Sequence, residues 1–185
     1  MRIVGGRHRG RQLETPADLP IRPTSDRARE ALFNILEHGK LAQGGLSPVR
    51  GARVLDAFCG TGALGLEALS RGAAHAVFID RDPAALRLAR RNLAAAKETA
   101  QATFIAADAT RPPPADQPCT LVFLDPPYDQ EALEPAVAAL AKAGWIGPGA
   151  IVVAEVDRRR DPELGGLTRV DERVYGKAKL LFYQA

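Results

Sequence analysis

Cysteine and histidine are scarce in this 185-residue chain, which has Cys59 and Cys119 and, as its three histidines, His8, His38 and His75. Two cysteines cannot build the disulfide framework of a small secreted domain. They fall on segments that read as neighbouring buried strand ends, so free thiols are expected. The histidines show no ligand-like spacing among themselves or with the cysteines, which predicts no metal site. Long apolar runs are absent too. Nothing approaches the roughly 20 residues of a membrane span, and "MRIVGGRHRG" has no apolar signal region, which predicts a cytoplasmic address and no membrane contact. Internal repeats are also missing. What remains is an ordinary globular composition, 46% hydrophobic and 25% charged, at the length of one domain.

The net charge is only +3, but it is unevenly spread. Residues 1–29 carry seven arginines (Arg2, Arg7, Arg9, Arg11, Arg22, Arg27 and Arg29) against Glu14, Asp18 and Asp26, and the rest of the chain is close to neutral. A basic arm beside a near-neutral body suits a polyanion, because each arginine can replace counterions on a phosphate backbone. A solvated face would carry the same charges.

"RIVGGRHRGRQLETP" has apolar ends around a Gly- and Arg-rich middle and reads as a β-hairpin or extended arm. "RPTSDRAREALFNILEHGK" then gives a helix. Thr24, Ser25 and Asp26 are its N-cap candidates, Ala31, Leu32, Ile35 and Leu36 line one face, and Gly39 terminates it. From residue 53 strands alternate with helices: "RVLDAF", "ALGLEALSRG", "HAVFID", "DPAALRLARRNLAAAK", "TFIAAD", "CTLVFLD", "EALEPAVAALAKAG", "AIVVAEV". Apolar runs that do not alternate are strands buried on both faces, and intervening helices make them parallel. The expected fold is α/β, a doubly wound, mostly parallel sheet. "TRVDERVYGKAKLLFY" breaks the rhythm and predicts an antiparallel C-terminal hairpin turning at Gly176 and Lys177. "RPPPADQP" reads as a stiff surface loop.

"DAFCGTGALG" places Gly60, Gly62 and Gly65 in G-x-G-x-x-G spacing between a strand and a helix, where backbone can approach a ligand at the helix N-terminus. Asp80 ends the second strand about 20 residues on, where a ribose-binding acid belongs, and Asp108 ends the third. All three tips fall on the C-terminal sheet edge, which is where open α/β sheets bind ligands. Asp56, just before the glycines, is a poor neighbour for the pyrophosphate of a dinucleotide and a good one for the sulfonium and ammonium of S-adenosylmethionine. Asp80 would then take the ribose hydroxyls and Asp108 the adenine amino group.

"FLDPPYDQ" ends the fourth strand on Asp125 and follows it with Pro126, Pro127 and Tyr128. "DPPY" matches the (D/N)-P-P-(Y/F) pattern of methyltransferases that act on exocyclic amino groups of bases or on planar amides. The lone pair of such an amine is delocalised. Acceptors that grip its hydrogens, the Asp125 carboxylate and the Pro126 carbonyl, favour a pyramidal nitrogen aimed at the methyl group. The prolines stiffen the turn, and Tyr128 can stack on an extruded base.

"RPTSDRAREALFNIL", "VLDAFCGTGALGLEALSRGA", "FIDRD" and "FLDPPY", in this order, resemble the bacterial RsmD family, the small-subunit ribosomal RNA guanine-N2 methyltransferases. The resemblance implies a class I S-adenosylmethionine-dependent methyltransferase fold. It comprises a seven-stranded Rossmann-like sheet over residues 22–185, preceded by a basic hairpin arm, residues 1–21, that is not an independent domain. It implies S-adenosyl-L-methionine as donor, S-adenosyl-L-homocysteine as product, and a guanine of 16S rRNA as acceptor, within a small ribosomal subunit or its assembly intermediate. The enzyme is expected to be a monomer. Residue by residue, the cofactor positions fall on Asp56, Gly60, Gly62, Asp80 and Asp108, and the catalytic tetrad on Asp125, Pro126, Pro127 and Tyr128. The segment from Arg22 to Ser25 would approach the methionine end of the cofactor, with Thr24 as its contact. Arg7, Arg9, Arg11 and Arg22 would meet RNA phosphates. Cys59 and Thr61 stand where the family more often has Ala and Ser, a change of little consequence in size. The clamp grips an amino group without naming the base, so N6-methylation of adenine in DNA or RNA is the alternative.

Overall fold

The computed structural model describes residues 1–16, 26–42, 45–126 and 131–185. Its frame is a seven-stranded sheet in the order β3-β2-β1-β4-β5-β7-β6. The strands are β1 (Arg53–Ala57), β2 (His75–Asp80), β3 (Ala102–Ala106), β4 (Cys119–Leu124), β5 (Ile146–Asp157), β6 (Thr168–Tyr175) and β7 (Ala178–Gln184). β1 to β5 pair in parallel, while β7 runs antiparallel to both β5 and β6. The doubly wound sheet and the C-terminal hairpin, turning at Gly176 and Lys177, are therefore as the sequence predicts.

The helices are α1 (Asp26–His38), α2 (Ala63–Ser70), α3 (Pro83–Ala95) and α4 (Leu133–Lys142). Successive strand residues point to opposite faces, and the core divides accordingly. Val54, Phe78, Leu121, Phe123 and Val153 pack with Leu32, Phe33 and Leu36 of α1, Leu66 of α2 and Leu93 of α3. On the other face Leu55, Val77, Val122 and Val152 pack with α4 and Trp145. Asp82 caps α3 by accepting from Ala84 N–H at 2.8 Å, with Pro83 in the first turn. The Trp145 indole donates to Pro113 O at 2.8 Å and anchors the proline-rich loop.

The N-terminal arm folds back on itself: Arg2 and Gln12 form an antiparallel bridge, Ile3 N–H donates to Arg11 O at 2.9 Å, Leu13 N–H to Met1 O at 3.0 Å and Gly10 N–H to Ile3 O at 2.8 Å, and the tip is a short 3-10 turn at Gly6–His8. The rest of its backbone is held by α2. Glu67, fully buried on α2, accepts from Val4 N–H at 2.8 Å and Gly5 N–H at 2.7 Å, and its Oε1 also takes the Arg71 guanidinium at 2.8 Å. Ser70 Oγ donates to Gly5 O at 2.6 Å, and buried Ile3 and Leu13 join the core. The two cysteines are unpaired and buried, but they lie at opposite edges of the sheet, Cys59 after β1 and Cys119 at the start of β4. Strand direction, which a run of apolar residues does not display, separates them.

Removing Glu67 strands two backbone donors and an arginine in the interior. Glu67→Ala is expected to cost about 3–5 kcal/mol in urea unfolding, with faster amide exchange at Val4 and Gly5. A loss under about 1 kcal/mol, within the range of an exposed pair, would contradict this role.

Candidate active site

The register of β1 with its neighbours sets the site. Ala57 pairs with Ile79 and with Leu124, so the tips of β1, β2 and β4 are level along one edge. Gly62, at φ 75, opens α2, and its N–H closes the preceding turn onto Cys59 O at 2.7 Å. Gly65 lies where a side chain has no room, since an added Cβ would fall 2.3 Å from the Phe78 ring. This close approach brings the helix onto the strand.

Two carboxylates fix the loop. Asp80 accepts from Gly60 N–H at 2.9 Å and, through its other oxygen, from Asp82 N–H at 2.9 Å. Its remaining lone pairs are available to hydroxyl donors. Asp56 accepts from Gly65 N–H at 2.8 Å and is 2% exposed. Burial, aided by the charge of Asp80, raises its pKa to about 8. A cation placed beside it would favour its ionised form. Asp108 is different. Thr110 donates to it from Oγ1 at 2.7 Å and from its N–H at 2.8 Å, and these bonds hold its pKa below the usual carboxylate value.

A cavity of about 670 Å³ opens among Asp56, Phe58, Gly60, Arg29 and Asp125. A second of about 500 Å³ holds Asp80, Asp108 and Ala132, with Phe58 again on its wall. Each is the size of a small-molecule site, in the range of about 300–1,000 Å³. Phe58 has φ 62, a left-handed conformation that is costly for a bulky residue, and it stands between the two spaces. An elongated ligand with a cationic end at Asp56 and a hydroxylated, aromatic end at Asp80 and Asp108 fits this donor set, and S-adenosylmethionine has that form.

Asp125 thus joins Asp56, Gly60 and the glycine loop at one cavity, and Pro126 is buried beside it. Pro127, Tyr128, Arg22 and Thr24 lie outside the described residues. The arm arginines are elsewhere. Arg7 pairs with Glu98 at 2.6 Å and Arg11 donates to Ala95 O at 2.8 Å, both at the far end of α3 from the glycine loop.

Two further residues belong to the site. Arg29 is 1% exposed, lines the Asp56 cavity and donates to Asp26 Oδ1 at 2.9 Å. Asn92, 2% exposed, donates to Thr61 O at 3.0 Å and Glu14 O at 3.1 Å and accepts from Glu14 N–H at 2.8 Å. It ties the glycine loop to the segment leading into Thr15 and Pro16, which also line the cavity. The signal for both was a polar residue on an apolar helix stripe: Arg29 with Leu32 and Phe33, Asn92 with Leu88 and Ala89.

The Asp56 carboxyl has a clear pH signature. Its folded pKa, about 8, is raised above the ordinary 3.8, so the fold binds the proton more tightly than the unfolded chain does. Stability from this group is full below 3.8 and is lost as pH rises towards 8. Asp56→Asn keeps an acceptor for Gly65 N–H, so its melting temperature relative to wild type is expected to climb between pH 5 and pH 8, while donor binding weakens. A pH-independent difference would contradict the buried, protonated acid.

A family model described as "Conserved hypothetical protein 95" matches residues 1–184. The "Putative rRNA methyltransferase YlbH" of Bacillus subtilis is 34% identical across 100% of this chain and 98% of its own. The "Ribosomal RNA small subunit methyltransferase D" of Escherichia coli K12 is 39% identical over 84% of this chain and 74% of its own. A solved structure titled "Putative methyltransferase yhhF", also from Escherichia coli, superposes with a TM-score of 0.81 at 36% identity, covering 100% of this chain and 97% of that one. A match over nearly every residue, on a sheet whose glycine loop and Asp125 tip meet at one cavity, places the chain in this family, the RsmD family of ribosomal RNA methyltransferases, with its class I S-adenosylmethionine-dependent methyltransferase fold.

Proposed function

We propose that the protein methylates the exocyclic N2 amine of a guanine in 16S ribosomal RNA, with S-adenosylmethionine as donor and S-adenosylhomocysteine as product. The observation that carries this reading is the opening of the Asp125–Pro126 tip onto the cavity that holds Asp56 and Gly60. The bound donor supplies an electrophilic methyl group on a sulfonium.

Asp56 holds the cationic end of the donor, and the arriving positive charge favours its ionised form. Arg29 puts a guanidinium on the same cavity, suited to a carboxylate. Asp80 accepts from the ribose hydroxyls while it keeps the Gly60 N–H. Asp108, held ionised by Thr110, accepts from the adenine amino group. Asp125 and the Pro126 carbonyl then grip the two hydrogens of the target amine, so that its lone pair points at the methyl group. Pro127 keeps the turn stiff, Tyr128 covers the base, and Thr24 meets the methionine end of the donor. Arg7, Arg9, Arg11 and Arg22 take RNA phosphates. The acceptor is the small ribosomal subunit or an assembly intermediate, met in the cytoplasm by a monomer.

Purified protein with labelled donor is expected to label small ribosomal subunits or their RNA and leave duplex DNA unlabelled. Label confined to DNA would favour adenine N6 and contradict the RNA reading. Asp125→Ala is expected to abolish transfer, a loss of at least about 100-fold for a group acting only in the transition state, with donor affinity nearly unchanged. Asp80→Ala is expected to weaken donor binding. Near-normal turnover in Asp125→Ala would overturn the grip on the amine.

A further inference from the structure

The C-terminal sheet edge continues past the cofactor side. The tips of β3, β2 and β1 present Asp108, Asp80 and the buried Asp56, with Arg81 and Arg111 beside Asp108. Beyond Asp125 the edge carries a run of arginines and a lysine. β5 ends at Asp157 and runs directly into Arg158, Arg159 and Arg160, and the β6–β7 turn brings Lys177 to the same edge, because Ala178 pairs with both Asp157 and Tyr175. Adjacent strands lie about 4.8 Å apart. The β5 tip therefore stands about 5 Å, and the β7 tip about 10 Å, along the edge from the strand that carries Asp125. Leu124 pairs with Ala154, so Arg158 also stands three residues, about 10 Å, beyond the level of Asp125, and a polynucleotide delivering a base to Asp125 passes this projecting rim.

The rim is also built. Arg158 N–H donates to Lys177 O at 2.8 Å, stapling the strand end to the turn. Arg160 pairs with Glu134 at 2.6 Å, which ties it to the first turn of α4. Asp161 is occupied by Arg169 at 2.7 Å and Lys179 at 3.2 Å. Arg159 rests on Asp157 at 2.8 Å with its side chain 85% exposed, a pair so solvated that a phosphate can exchange for it. Asp157, Glu134 and Asp161 are thus already engaged, and Glu163 is the exposed carboxylate that remains on this segment. Arg158 and Lys177 are exposed, and neither has an ion-pair partner among the described residues.

The arm arginines cannot play the same part. Arg7 and Arg11 sit beyond the last turns of α2 and α3, and α2 alone, eight residues long, spans about 12 Å from the glycine loop.

We propose that Arg158 and Lys177, with Arg159 beside them, form a phosphate platform that holds the RNA backbone next to the target nucleotide and thereby sets which base reaches Asp125. This rests on the reading of the substrate as RNA. Phosphate contacts of this kind position a strand without reading it, and each one releases counterions, so the platform has a salt signature.

The test is the double charge reversal Arg158→Glu/Lys177→Glu, both on exposed side chains, assayed with labelled S-adenosylmethionine and small ribosomal subunits alongside wild type. The expected result is a KM for the RNA substrate raised at least tenfold, with kcat at saturating RNA within twofold and donor affinity unchanged. The slope of log affinity for 16S RNA against log salt should fall by about two, one per lost phosphate contact. An unchanged RNA KM and salt slope would overturn the platform while leaving the functional reading intact, as would a loss traced wholly to weaker donor binding. Wild-type protein that labels no RNA would overturn the functional reading, and the platform with it.

Discussion

Asp56 is a carboxyl group held 2% exposed at the tip of a central strand, with the Gly65 N–H at 2.8 Å as its hydrogen bond among the described residues. Burying an acid in this way favours its neutral form, and its pKa of about 8 records that cost. The surroundings follow from it. Gly65 must be glycine so that α2 can approach Phe78 closely enough to offer its N–H. Asp80 reaches across to Gly60 N–H. Phe58 takes a left-handed conformation on the wall shared by two cavities. A positively charged ligand at this position would favour the ionised form of the buried acid.

The arm is part of this arrangement. Glu67 takes its backbone N–H groups from within α2, and Arg71 from the same helix neutralises the charge. Asn92 then joins the returning strand of the arm, at Glu14, to Thr61 of the glycine loop. Thr15 and Pro16, next to this tie, line the cavity, and Arg29, one turn into α1, lines it too. A buried polar network of this sort holds its members in one geometry only if all of them are satisfied.

The parts of this structure legible in the sequence were those with local signals. The runs "VLDAF", "AVFID" and "TLVFLD" announce strands buried on both faces, and the helices between them make the pairing parallel. The acids at strand tips could be placed because strand ends converge on one edge. What could not be read was pairing across long separations. Arg7 looks like a free cation until Glu98, 91 residues away, is folded against it. Arg2 and Arg29 both meet Asp26, so the arm's charge is partly spent inside the protein. "DRRRD", residues 157–161, reads on its own either as an addition to the basic RNA-facing surface or as a solvated loop after the fifth strand. The first reading gains support only when the strand order sets it beside Asp125 and opposite the donor cavities.

The edge that results carries carboxylates at the tips of β1 to β3, where a cationic donor belongs, and a run of arginines with Lys177 beyond Asp125. Electrostatics of this kind orients both partners before any specific contact forms. The most direct check of the account is nucleoside analysis of 16S RNA from small ribosomal subunits that lack the modification, after incubation with the purified protein and S-adenosylmethionine. The account predicts that N2-methylguanosine appears at a single position. N6-methyladenosine, or no new nucleoside, would contradict it.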